Sequence, residues 1–180
     1  MNLPNKITML RVIMIPFFVA AMLVDFIPYH NYIAVAIFII ASLTDTLDGY
    51  IARKYNLISN FGKFMDPLAD KLLVSSALIC FVALGSMPAW IVIVIISREF
   101  IISGFRLVAS DAGVVIAASW WGKCKTVAQM IMSVLLIVNF SGSVIDLLEQ
   151  ILIYLSLILT VVSLIDYLAK NWKVMNDGNM

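Results

Sequence analysis

The chain has 180 residues, of which 63% are hydrophobic and 13% charged, with a net charge of +1. A soluble domain carries about half apolar and a quarter charged residues, and so few charges cannot wet the surface of one this size, so a membrane protein is expected. The length argues for a single domain, 1–180, and the charge balance selects no particular partner, with no nucleic acid expected.

The opening "MNLPNKIT" is too short to span a bilayer and reads as an interfacial segment over 1–8. A span needs about 20 apolar residues. Six are predicted, at 9–27, 31–54, 66–84, 88–109, 119–140 and 147–169, with breakers at "DFIPYHN", "LGSMP", "SDAG" and "NFSGS". Pro16 falls inside the first and predicts a kink. Lys6 and Arg11 precede an apolar run, and "VAA" at 19–21 offers small residues, as in a secretory leader. The many later spans argue against that reading. His30 reads as a solvated loop residue. Cys80 and Cys124 lie in different apolar segments and form no motif, so neither a disulfide nor a thiolate metal site is expected. The end, "NWKVMNDGNM", is a polar tail.

The basic residues set the orientation. With a cytoplasmic N-terminus, the cytoplasmic segments hold Lys6, Arg11, Arg53, Lys54, Lys63, Lys71, Arg106, Lys123, Lys125, Lys170 and Lys173. The opposite loops, 25–31, 84–88 and 139–146, hold no Lys or Arg, and Arg98 alone lies inside a span. That is the positive-inside pattern. It predicts an all-α, six-span protein of the cell membrane with both termini in the cytoplasm.

The polar residues within the spans are concentrated. Asp45 and Asp48 are three apart and share a face of the second span near its cytoplasmic end. Asp66 and Asp70 are four apart at the start of the third. Asp66-Pro67 also reads as a helix N-cap followed by a first-turn proline, which leaves the other three aspartates unexplained. An aspartate at membrane depth costs about 2.5–3.5 kcal/mol, so four cost on the order of 10 kcal/mol. Arg53, Lys63 and Lys71 compensate only in part, since such side chains snorkel to water. A hard divalent cation, Mg²⁺ or Mn²⁺, answers the charge better, because it takes oxygen ligands and works with phosphates. Four carboxylates suit two such ions bridged by shared aspartates. No His or Cys joins the cluster, which disfavours zinc. Gly49, Ala52 and Gly62 remove bulk beside the acids, either for a ligand or for close helix packing. Arg53 either binds a phosphate with its fork or anchors the helix end.

A second polar set spans "SREFIISGFR" and "WWGKCKT". Arg98 and Glu99 lie deep in the fourth span. A mutual or local ion pair is one reading, but neighbours in a helix do not face each other, so they are expected to find different partners. Arg98, Arg106, Lys123 and Lys125 together look like an anion pocket, although positive-inside bias alone accounts for all but Arg98.

Asp45-x-x-Asp48-Gly49-x-x-Ala52-Arg53, then eight residues, then Gly62-x-x-x-Asp66-x-x-x-Asp70 resembles the signature of the CDP-alcohol phosphotransferases. All eight positions are filled. "LPNKITMLR" and "SREFIISGFR…SWWGKCKT" look like the CDP-diacylglycerol–glycerol-3-phosphate branch of that family. The resemblance implies a six-helix membrane enzyme, usually a homodimer, with its site near the cytoplasmic interface. Asp45, Asp48 and Asp66 would hold two Mg²⁺ or Mn²⁺ ions, and Asp70 would be both ligand and general base. Gly49, Ala52, Arg53 and Gly62, with Asn5 and Thr8, would line the CDP site. The implied reaction joins CDP-diacylglycerol to glycerol 3-phosphate, giving phosphatidylglycerol phosphate and CMP, with the acceptor phosphate held by some of Arg98, Arg106, Lys123 and Lys125. Inositol phosphate or phosphatidylglycerol are alternative acceptors. A cation-coupled transporter and an intramembrane aspartyl protease fit less well. The acids do not continue across the membrane, and a dyad does not need four carboxylates.

Overall fold

The computed structural model describes residues 2–24, 26, 28–55, 59–111, 116 and 119–171, without the side chains of Thr46, Arg53, Asn60, Lys63, Phe64 and Asp111. The described residues form helices and no strands. The helices are α1 (Leu3–Leu23), α2 (His30–Lys54), α3 (Asn60–Ala83), α4 (Ala89–Asp111), α5 (Trp120–Val138) and α6 (Ser143–Lys170). They fall into two compact units. One is Met1–Ser86 with Ser133–Phe140, the other Met87–Met132 with Ser141–Met180.

In the first unit α1 packs against both α2 and α3, and α2 against α3. Helix α1 buries Pro4, Thr8, Arg11, Ile15, Phe18 and Met22, the alternating three- and four-residue spacing of one helical face. Its facing stripe on α2 is Ala34, Phe38, Ala41 and Asp48, and that on α3 is Ala69, Leu73, Ala77 and Phe81. Phe18 and Phe38 meet with ring centroids 5.8 Å apart. The three stripes are apolar along most of their length and turn polar at one end, where Thr8, Arg11 and Asp48 lie.

Two helix starts differ from expectation. Residues 3–8 lie within α1, continuous with the first predicted span. Asn2 caps α1, its side chain accepting from the Asn5 N–H at 3.3 Å, and Pro4 sits in the first turn, so one helix runs through Pro16 to Leu23. Helix α3 starts well before Asp66. Ser59 is its N-cap and accepts from the Gly62 N–H at 3.0 Å, and Pro67 lies inside the helix. The Asp66-Pro67 pair is therefore not a helix start. Gly85, with φ of 74°, ends α3. The Ser86 N–H returns to the Phe81 carbonyl at 2.9 Å and the Gly85 N–H to that of Val82 at 3.1 Å, a Schellman closure that needs a left-handed residue. His30 is not a loop residue. It opens α2, and its Nδ1 lies 3.1 Å from the Ala21 carbonyl oxygen.

In the second unit α4 packs against α6, with Phe105 edge-on to Tyr167 at 5.7 Å. The buried stripe of α6 is Ile153, Ser156, Thr160, Ser163 and Tyr167. Thr160 donates to the Ser156 carbonyl at 2.6 Å and Ser163 to that of Thr160 at 2.9 Å. The Thr160 and Ser163 hydroxyls are thus satisfied within their own helix.

Four of the helices, Leu3–Leu23, His30–Ala52, Trp120–Val138 and Ser143–Lys170, are long and apolar enough to cross a membrane. Helices α3 and α4 are as long, at 24 and 23 residues, but α3 carries Asp66, Asp70 and Lys71 and α4 carries Arg98, Glu99 and Arg106.

Candidate active site

The polar end of the first unit is organised by two residues of α1. Thr8 is fully buried. Its hydroxyl lies 2.6 Å from Asp66 Oδ1, 3.3 Å from Asp48 Oδ2 and 3.2 Å from the Pro4 carbonyl oxygen. One hydroxyl has one proton to donate, and the shortest contact assigns it to Asp66. Asp48, only 1% exposed, takes its charged partner elsewhere. Arg11, with a fully buried side chain, donates from Nη2 to Asp48 Oδ2 at 2.5 Å and from Nη1 to Asp45 Oδ1 at 2.7 Å. Its Nε donates to the Ala41 carbonyl at 3.1 Å. The three-residue spacing of Asp45 and Asp48 is what lets one planar guanidinium reach both. Asp45 and Asp66 also lie within electrostatic reach of Asp48, so three carboxylates from two helices converge beside α1.

The entry to this end is tied by a second contact between α1 and α3. Ser59 donates to Asn5 Oδ1 at 2.9 Å while capping α3. Gly62 lies under that pair. A Cβ there would come within 3.1 Å of Asn5 Oδ1 and 3.3 Å of Ser59 Oγ, so the glycine makes room for the link.

Of the sequence-predicted residues, Asn5, Thr8, Asp48, Gly62 and Asp66 are thus brought together, with Asp45 joined through Arg11. Gly49 and Ala52 are half-buried on α2. Asp70 is exposed on α3, one turn beyond Asp66. The side chain of Arg53 lies outside the described residues. Arg11 and Ser59 were missed. Arg11 was read as an orientation charge, yet it lies on the same face as Thr8, three residues on, inside an apolar helix. An arginine there needs a partner, and that was the available signal.

Hard oxygen donors are the right chemistry for Mg²⁺ or Mn²⁺, and Asp45, Asp48 and Asp66 fit such an ion as a donor set. Among the described residues, however, no three acidic, imidazole or thiol groups are arranged as a ready coordination cage. The carboxylates are turned onto Arg11 and Thr8.

In the second unit Arg98 and Lys125 are buried, at 8% and 3% exposure. Both donate to Glu99 Oε1, Arg98 through Nη1 at 3.0 Å and Lys125 through Nζ. This corrects the expectation that Arg98 and Glu99 look in different directions. The side chains are long enough to fold onto each other, and a shared acid offsets two buried cations. Gly122 leaves room for the second guanidinium nitrogen, Arg98 Nη2, which would lie 3.4 Å from a Cβ there. Arg106 is exposed and donates to the Ile116 carbonyl at 3.4 Å, and Lys123 is exposed on α5. Arg106 and Arg98 both lie within electrostatic reach of Tyr167. Arg98 and Lys125 are a pair, joined by Glu99.

The sequence profile of the CDP-alcohol phosphatidyltransferases matches residues 1–162. The chain belongs to the CDP-alcohol phosphatidyltransferase family. Three relatives bear the name CDP-diacylglycerol–glycerol-3-phosphate 3-phosphatidyltransferase. That of Bacillus subtilis (strain 168) is 47% identical over 99% of both chains. That of Haemophilus influenzae is 42% identical over 93% of this chain and 91% of its own. That of Rickettsia bellii is 36% identical over 90% and 91%. As a CDP-alcohol phosphatidyltransferase, the chain carries the aspartate signature on α2 and α3, the two helices that converge on Thr8 and Arg11.

Proposed function

We propose that this chain transfers a phosphatidyl group from CDP-diacylglycerol to sn-glycerol 3-phosphate, releasing CMP and leaving phosphatidylglycerol phosphate. The observation that carries this is the convergence of Asp45, Asp48 and Asp66 beside α1, in a chain whose relatives bear that activity in their names.

Asp45, Asp48, Asp66 and Asp70 would hold two Mg²⁺ or Mn²⁺ ions, which when bound neutralise charge on a diphosphate. Asn5, Thr8, Gly49, Ala52, Arg53 and Gly62 line the CDP site. Asp70 accepts the proton of the acceptor's 1-hydroxyl, whose oxygen forms the new bond to the phosphorus next to the lipid. The bond from that phosphorus to CMP breaks, and CMP leaves. Arg98 and Lys125 hold the acceptor's phosphate. Their burial supports this, because a desolvated cation attracts an anion more strongly than a surface one. Arg106 and Lys123 guide the anion from water. The chain crosses the cell membrane six times, acts as a homodimer, and keeps both termini and the site in the cytoplasm. The sorting of Lys and Arg onto one side supports the span count and the orientation.

The deciding assay is CMP release by purified protein from CDP-diacylglycerol, with glycerol 3-phosphate, inositol phosphate, phosphatidylglycerol and serine offered in turn. Glycerol 3-phosphate should support turnover in Mg²⁺ and none in EDTA. Faster turnover with either other phosphate acceptor would move the assignment to that one. Undiminished turnover in EDTA would remove the ions from the account.

Gly62→Ala separates the nucleotide site from the fold. Alanine gains about 1 kcal/mol of helix propensity and weakens one hydrogen bond worth about 0.5–1.5 kcal/mol, so the unfolding temperature should hardly move. Displacing Asn5 should still slow turnover by ~10- to ~100-fold, the scale of small positional errors in a site. Equal turnover in the two proteins would detach Asn5 and Gly62 from the nucleotide.

A further inference from the structure

Arg11 has no role in the reaction just described, yet it is among the most completely buried large side chains of the chain. Its side-chain exposure is 0%. It is not snorkelling to water, as an orientation charge would. Its three nitrogens are each engaged, Nε by the Ala41 carbonyl, Nη1 by Asp45 and Nη2 by Asp48. Thr44 Oγ1 stands 3.5 Å from Nε and donates to the same Ala41 carbonyl at 2.7 Å, closing the bracket around the guanidinium.

The electrostatics of α2 make this bracket necessary. Asp48 is buried and feels the charges of both Asp45 and Asp66. Among the described residues, the hydroxyl that contacts it, that of Thr8, is closer to Asp66. A buried carboxylate without a counter-charge is strongly unfavourable. A guanidinium stays protonated under all ordinary conditions, so its charge is permanent, whereas that of a bound ion comes and goes. Arg11 touches one oxygen of each carboxylate.

We propose that Arg11 is the positioning residue of the acidic cluster, a fixed counter-charge that keeps Asp45 and Asp48 aligned when no divalent ion is bound. The fold thereby becomes independent of the metal, and the carboxylates are in place when it arrives. The inference rests on the reading of these aspartates as ion ligands.

The test is thermal unfolding in detergent of wild type, Arg11→Met and Arg11→Lys, each in EDTA and in Mn²⁺, alongside titration of free Mn²⁺ by electron paramagnetic resonance. Wild type should gain less from Mn²⁺ than either variant does. Arg11→Met should unfold about 10 °C lower in EDTA and regain at least half of that loss in Mn²⁺, because the ion takes over the missing charge. A purely structural arginine predicts the same Mn²⁺ increment in variant and wild type, and that result overturns the proposal. If Arg11→Met does not yield folded protein, Arg11→Lys decides. Its charge remains but reaches one carboxylate at a time, so its Mn²⁺ increment should still exceed that of wild type, and an equal increment overturns the proposal. Should wild type itself take up no Mn²⁺, the ion-ligand reading fails and Arg11's role with it. Uptake by wild type with equal increments throughout removes Arg11 alone.

Discussion

Asp70→Asn should lower phosphatidyl transfer by about 10²–10⁴-fold, the contribution of a positioned general base, in a protein that still inserts and folds. Asparagine matches the shape of aspartate but accepts no proton at neutral pH. Asp70 is exposed on α3, so the change does not strand a buried group. Its neighbour on the same face, Asp66, keeps its bond to Thr8. Transfer is followed as CMP release, and folding as the unfolding temperature in detergent. A variant that turns over at the wild-type rate would end the assignment of Asp70 as base. A variant that has lost activity and fold together would show that Asp70 is structural.

Glu99→Leu should be the most destabilising single change in the second unit, at about 3–5 kcal/mol, the cost of removing one member of a buried ion group. Among the described residues Glu99 is the acid that both Arg98 and Lys125 contact. Without it two cations of low exposure face each other. Lys125→Met in the same chain removes one of them and should recover part of the loss. Unfolding of the two single variants and the double variant forms a cycle. Additive losses would mean that Glu99 and Lys125 are not coupled.

The sequence was most legible where the chemistry is local. Asp45 with Asp48, and Asp66 with Asp70, fall three or four residues apart, and helical geometry alone places each pair on one face. The helices were legible too, because runs of Ile, Leu, Val and Phe longer than a bilayer needs have few other uses. The start of α3 was not. Asp66-Pro67 has the form of a helix opening, but Ser59 offers a cap seven residues earlier, and a long helix tolerates one missing N–H. Arg11 was illegible as a site residue because its partners lie 34 and 37 residues away. Nothing in a local pattern records a bond of that span. Glu99 was misread because adjacent residues are usually splayed. Here long side chains bend back onto a shared oxygen.

That distance between Arg11 and its acids has a consequence for biosynthesis. A ribosome adds about 5–20 residues per second, so the arginine emerges some two to seven seconds before Asp45 exists to meet it. During that interval the first helix carries a lone guanidinium, at about 2.5–3.5 kcal/mol against integration. The leading hairpin, α1 with α2, is therefore the smallest piece of this chain that can settle into lipid comfortably. The order of translation makes the N-terminal helix wait for the second.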